Sequence, residues 1–108
     1  MLGAGATGEA AMPKGYWIVA VEVHDRQTYD AYRAAIAEPL ERHGARFLVR
    51  GGRSEQREGE GLPRQVVIEF PNFEAAVACY DSADYQAARA LREAASHASF
   101  VIAEGWEG

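Results

Sequence analysis

The chain has 108 residues, of which 48% are hydrophobic, and 11 basic against 16 acidic side chains leave a formal net charge of −5. That length suits one domain, and the apolar share is that of a globular core rather than of a disordered chain. The acidic balance speaks against nucleic acid and anionic membranes as partners, because both favour a positive surface, and no apolar run approaches the ~18 residues needed to cross a bilayer.

Residues 1–13 are rich in Gly and Ala and show no apolar period, so they read as a disordered extension. They also lack the basic start and apolar centre of a secretion signal. A cytoplasmic location is therefore expected, with the folded domain spanning 14–108. Tyr16 to Val23, rich in β-branched and aromatic residues, predicts a strand. Asp25 has the character of a helix N-cap. Tyr29, Tyr32, Ile36, Leu40 and His43 then recur at the spacing of one helical face. Pro39 should kink or break that helix, and Gly44 is placed to end it.

A strand from Arg46 to Arg50 follows, then a polar connection from Gly51 to Pro63, then a strand from Gln65 to Phe70. Pro71-Asn72 ends that strand, and Asn72 caps a short helix from Phe73 to Tyr80. Ser82 caps a further helix, with Asp84 set against its N-terminal dipole. On it Tyr85, Ala88, Leu91 and Ala95 share a face. Phe100 to Ala103 make the last strand. The order strand, helix, strand, strand, helix, strand predicts an α+β fold: a ferredoxin-like βαββαβ unit with a four-stranded antiparallel sheet and its helices on one face.

Period-two bookkeeping assigns the faces of that sheet. Val19, Val21 and Val23, Phe47 with Val49, and Val66, Ile68 and Phe70 should meet the helices. The other face would hold Ile18, Ala20 and Glu22, Leu48 and Arg50, Val67 and Glu69, and Ile102 with Glu104. Half of this second set is apolar, and the helices cover only one side. A second copy packed sheet to sheet is its natural cover, giving a homodimer with a partly polar central cavity.

Five stretches carry a resemblance. They are Gly15-Tyr16-Trp17-Ile18; Arg46-Phe47-Leu48-Val49-Arg50-Gly51-Gly52; Val67-Ile68-Glu69-Phe70-Pro71; Tyr80-Asp81-Ser82-Ala83-Asp84-Tyr85 with Arg89; and Val101-Ile102-Ala103-Glu104-Gly105. Together they resemble the domain-of-unknown-function family 1330, within the dimeric alpha-beta barrel superfamily, over nearly everything from Lys14 onward. The resemblance implies a ferredoxin-like subunit and a homodimer. That superfamily holds cofactor-independent monooxygenases, muconolactone isomerase-like proteins and haem enzymes, so fold kinship does not choose the chemistry.

The charged residues of the apolar face are the candidates for chemistry. Arg50 and Glu69 are expected to stand opposite each other on the cavity face. There Arg50 would stabilise a carboxylate or enolate, with Glu69 as its orienting or acid-base partner. Glu22 and Glu104 are placed in the same region, where crowded carboxylates raise one another's pKa. Tyr80, Ser82, Tyr85 and Arg89 cluster around the helix break and form a second candidate ligand set. Cys79 lies in an apolar helical pattern and reads as a small buried hydrophobe.

His24, His43 and His97 are scattered, with His97 placed in a connection, and no Cys or His spacing matches a metal site; no metal, haem or other cofactor is expected. Gly51-Gly52 lacks the lysine and helix of a phosphate loop and reads as a bulge or bend. The leading expectation is a homodimer that binds a small anionic or aromatic molecule in its barrel cavity. Its chemistry would be cofactor-free proton transfer or oxygenation. The alternative is a non-catalytic dimeric binding or interaction module in which the charged pair only sets the register of the two sheets.

Overall fold

The computed structural model describes residues 12–107. The proposed disordered opening lies, through residue 11, outside the described residues. Among those described, the elements run β1 (Gly15–Val23), α1 (Arg26–Ala35), α2 (Ala37–Arg42), β2 (Arg46–Arg50), β3 (Arg64–Phe70), α3 (Phe73–Asp81), α4 (Ala83–Ala95) and β4 (Ser96–Glu104). The strands form one antiparallel sheet in the order β2-β3-β1-β4. This is the expected α+β, ferredoxin-like arrangement.

Local chemistry starts and stops the helices where the sequence indicates. The Asp25 carboxylate accepts from the Thr28 N–H at 3.2 Å, the Asn72 side chain from the Ala75 N–H at 2.8 Å, and the Ser82 hydroxyl from the Tyr85 N–H at 3.4 Å. Each satisfies a backbone donor that the first helical turn leaves unpaired. The first helical run parts into α1 and α2 at Ile36. Pro39 explains the break: its ring would press on the carbonyl of Ala35 four residues earlier, and it has no N–H to donate. Gly44 then ends α2 at φ 72°, the left-handed conformation that a side chain disfavours.

The core lies between the sheet and the helices, with Trp17 fully buried at its centre. The indole ring sits 4.9 Å from Phe70, 4.9 Å from Tyr85 and 5.0 Å from Phe100, and its Nε1–H donates to the Ala76 carbonyl at 2.9 Å. Val19, Val21, Val66, Ile68 and Phe70 bury the same side of the sheet, as period two requires. β1 begins hard against the turn into α3, where a Cβ on Gly15 would collide with the Asn72 carbonyl. At the same end the Gly105 N–H donates to the Lys14 carbonyl at 2.7 Å, tying the exit of β4 to the entry of β1.

Three expectations about the sheet need correction. β2 carries a bulge: Phe47 registers with Ile68, yet Val49 registers with Val67 and Arg50 with Val66. The extra residue, Leu48, reverses the alternation. Val49 therefore lies on the open face, and Arg50 on the helix side, opposite to the even alternation assumed for this strand. β4 begins at Ser96, so His97 lies in the strand, opposite Glu22. Ser96, His97 and Ser99 give no apolar alternation, and β1 recruits them through its own backbone. In β4 the parity is also reversed: Ile102 registers with Trp17 on the core side, while Val101 registers with Ile18 on the open side.

Candidate functional site

The open face of the sheet is built in rows. Val49, Val67, Ile18 and Val101 stand in register across all four strands. Ile18, Val49 and Val101 remain 47%, 39% and 51% exposed. One row along, Arg46, Glu69, Tyr16 and Ala103 are in register. The Glu69 carboxylate accepts from the Arg46 Nε–H at 2.9 Å and from the Tyr16 hydroxyl at 3.0 Å. The Arg46 guanidinium, aided by the Tyr16 bond, holds the Glu69 carboxyl below its usual value against the opposing effect of burial. The Tyr16 phenol is raised in turn by that hydrogen bond and by burial.

The anticipated Arg50–Glu69 pair does not form: Glu69 pairs with Arg46, and the bulge places Arg50 on the other side of the sheet. Glu22 and Glu104 are not brought together either. Glu22 registers with His97 and Glu104 with Gly15, at opposite ends of the β1–β4 ladder. Tyr80, Ser82, Tyr85 and Arg89 do gather around the α3–α4 junction, but their groups are largely engaged. Ser82 caps α4, and Arg89 donates to Gln86 at 3.0 Å and to Glu93 at 2.6 Å. The Tyr80 and Tyr85 rings pack 5.3 Å apart, and Tyr85 is fully buried. Cys79 is also fully buried, its thiol donating to the Pro39 carbonyl at 3.6 Å; burial, with a further contribution from Asp84, pushes its pKa up to about 12. Such a thiol is a poor nucleophile.

A different constellation lies between the helices and the sheet. Trp17, Val19, Val66 and Ile68 floor a cleft; Tyr29, Tyr32 and Ile36 from α1 and the adjoining turn, together with Phe47, wall it; and Arg33, Arg50, Arg64 and Arg92 line it without a single carboxylate. Arg33 is paired with Asp30 at 3.4 Å, whereas Arg50, Arg64 and Arg92 make no ion pair among the described residues. The enclosed space is about 30 Å³. Tyr29, Arg33 and Arg64 also line a shallower mouth of about 480 Å³, which Arg26, Asp30 and His24 border.

Arg92 is the residue that sequence reasoning missed. It is only 7% exposed, and its Nε, like that of Arg64, is shut off from water with no hydrogen-bond partner. Its guanidinium lies 5.3 Å from the centre of the Phe100 ring and 5.9 Å from that of Tyr32. Burial works against this charge, and its polar neighbours are the Tyr85, Tyr32 and Tyr80 phenols and not a carboxylate; as a guanidinium it nonetheless stays a cation. The signal was present: Tyr85, Ala88, Arg92 and Ala95 are the buried residues of α4 and share one face at spacings of three and four. An arginine in such a row is a buried charge that asks for a counter-charge.

The Tyr32 and Tyr85 hydroxyls lie 2.9 Å apart. Both phenols are raised by burial, the Tyr32 one also by its neighbour Tyr85, and both stay neutral. The cleft thus offers guanidinium and phenol donors, with no carboxylate among its lining residues. Among the described residues, no group of three or more His, Cys, Asp or Glu side chains converges as a metal site would require, and no helix is long and apolar enough to cross a membrane.

The family described as domain of unknown function DUF1330 matches residues 14–106. Among solved structures, a protein of unknown function from Rhodopseudomonas palustris is similar at a TM-score of 0.74 and 17% identity, over 91% of this chain and 86% of that one. SnoaB, a cofactor-independent oxygenase from Streptomyces nogalater, superposes at 0.59 with 11% identity, over 89% of this chain and 96% of its own. A dimeric protein of unknown function with a ferredoxin-like fold from Bacteroides fragilis superposes at 0.50 with 14% identity, over 84% and 95%. At such identities the likeness speaks for the fold alone. No curated protein matches the chain.

Proposed function

The chain belongs to the domain-of-unknown-function family 1330, and we propose that it binds a small organic anion in the cleft between sheet and helices. The observation that carries this reading is the set of three unpaired guanidiniums, Arg50, Arg64 and Arg92, on one acid-free cleft of a chain whose net charge is −5. Like charges gathered against a low-dielectric wall repel one another, and a bound anion relieves that repulsion. Of the expected catalytic pair, Arg50 lines this cleft and not the open face where it was expected, while Glu69 lies on the open face. The chemistry that such a site supports is stabilisation of a developing oxyanion by preorganised donors. A cofactor-independent oxygenase among the structural neighbours is compatible with that chemistry.

Thermal unfolding with and without a millimolar small carboxylate such as valerate tests the reading. Binding to the native state raises the midpoint. The rise should be present in the wild-type chain and absent in Arg92→Met, which keeps the apolar stem and removes the charge. Equal rises in both, or none in either, would reject the site.

A homodimer formed through the open face is the second part of the proposal. The exposed row of Ile18, Val49 and Val101 is an apolar band on a sheet face that no helix covers. The Arg46–Glu69–Tyr16 cluster beside it supplies polar groups at its margin, and a structural neighbour is dimeric. In this arrangement the ligand site lies within each subunit, on the far side of the sheet from the interface.

A further inference from the structure

Two guanidiniums of the cleft, Arg64 and Arg92, have a buried Nε without a partner, and each lies beside a tyrosine ring. Arg64 lies with its guanidinium carbon 5.7 Å from the centre of the Tyr29 ring, and Arg92 lies 5.9 Å from that of Tyr32. The two tyrosine rings are themselves only 5.5 Å apart, so each arginine lies beside a different member of one aromatic pair. Both Nε–H groups are hidden from water and unbonded. Burying a charged donor without a partner is costly, and here the cost is incurred twice on the same cleft.

Resting on the reading of this cleft as an anion site, we propose that its ligand is a slender organic dianion, a short dicarboxylate, with one anionic end at Arg92 and the other at Arg64. A monoanion would leave one of the two guanidiniums without a partner. The other cations of the cleft are less available: Arg33 is paired with Asp30, and Arg50 lies over the Phe47 ring at 4.0 Å. The enclosed cleft, at about 30 Å³, admits a group of roughly one water's size, which suits a carboxylate head better than a ring. Tyr29, Tyr32 and Val66 line the same cleft and offer apolar surface to a methylene chain. The mouth, of about 480 Å³, leaves the second carboxylate room to keep part of its hydration.

The test compares acids of equal chain length by isothermal titration calorimetry: glutarate against valerate, and adipate against hexanoate. The better-fitting diacid should bind about tenfold more tightly than its monoacid partner, the factor expected from one additional charge-assisted hydrogen bond. Arg64→Gln, a change at the half-exposed mouth, should abolish that advantage and bring each diacid down to the affinity of its monoacid partner, whereas Arg92→Gln should weaken every acid and leave the diacid advantage smaller but present. If monoacids and diacids bind alike, or if Arg64→Gln leaves the diacid preference unchanged, the dianion assignment is overturned while the anion site stands. If none of the four acids binds at millimolar concentration, the anion site itself fails, and the dianion assignment fails with it.

Discussion

The two faces of the sheet handle an arginine in opposite ways. On the open face Arg46 has a side chain 72% exposed and a matched carboxylate, Glu69, which Tyr16 also satisfies. On the covered face Arg92 is 7% exposed and has no acid within reach among the described residues. The first arrangement is self-contained: it fixes register and asks nothing of a ligand. The second is incomplete as it stands, and a fold that retains a buried cation without a counter-charge does so most simply for something that binds there. Charge count alone does not mark a site; lack of a partner together with burial does.

The largest effect that would break this comparison concerns the open face. Ile18 is the central residue of the apolar row, and Ile18→Asp places a charge at the middle of the proposed interface. The dimer dissociation constant should rise about a hundredfold, as for an anchor position, read by sedimentation velocity across a dilution series. A dimer that survives the change unaltered would move the interface elsewhere. Next come the two arginines themselves. Without ligand, Arg92→Met should stabilise the chain by about 1–2 kcal/mol in urea unfolding, because an unpaired buried charge gives way to an apolar side chain. Arg46→Met should cost no more than about 1 kcal/mol, as exposed pairs do. Effects of the same sign would mean that Arg92 is already compensated.

The smallest effect is on acid stability. Glu69 is held below its ordinary value of 4.5 by Arg46, and Asp25 and Asp84 are likewise lowered, by Thr28 and by Arg42. A carboxyl lowered in the folded state binds its proton more readily when unfolded, so its stabilising contribution is complete above its unfolded value and is lost as pH falls through the folded one. Stability should therefore decline below about pH 4.5, and Glu69→Gln should flatten part of that decline. An unchanged slope in unfolding measured from pH 6 to pH 3 would mean that the Arg46–Glu69 contact contributes nothing in solution.

The sequence made legible whatever is local. The three caps at Asp25, Asn72 and Ser82, the break before Pro39 and the left-handed Gly44 depend on neighbours within a few residues, and each occurs as expected. The core faces of β1 and β3 followed from alternation for the same reason. Arg50 was misplaced because one additional residue at Leu48 turns the rest of β2 over. No property of Leu48 announces a bulge; only the register with β3 reveals it. The polar start of β4 was missed because its pairing is supplied by β1 and not by its own pattern. Arg92 was legible in principle, on the same helical face as Tyr85 and Ala88. It was passed over because Leu91, half a step away, completes an apolar stripe without it.

The backbone hydrogen bond from Gly105 to Lys14 has a consequence for rewiring the chain. It sets the exit of the last strand beside the entry of the first, so a short linker from Trp106 to Pro13 would bridge them without crossing the sheet. New ends could then open between Ser54 and Glu60, in the long connection that leads back to Gly51, where the chain runs against the Arg64 guanidinium. A circular permutant of this kind would preserve the ladders of the sheet while loosening the segment beside the cleft's outer arginine. Access to the cleft could thus be varied with the side chains of the sheet and helices unchanged.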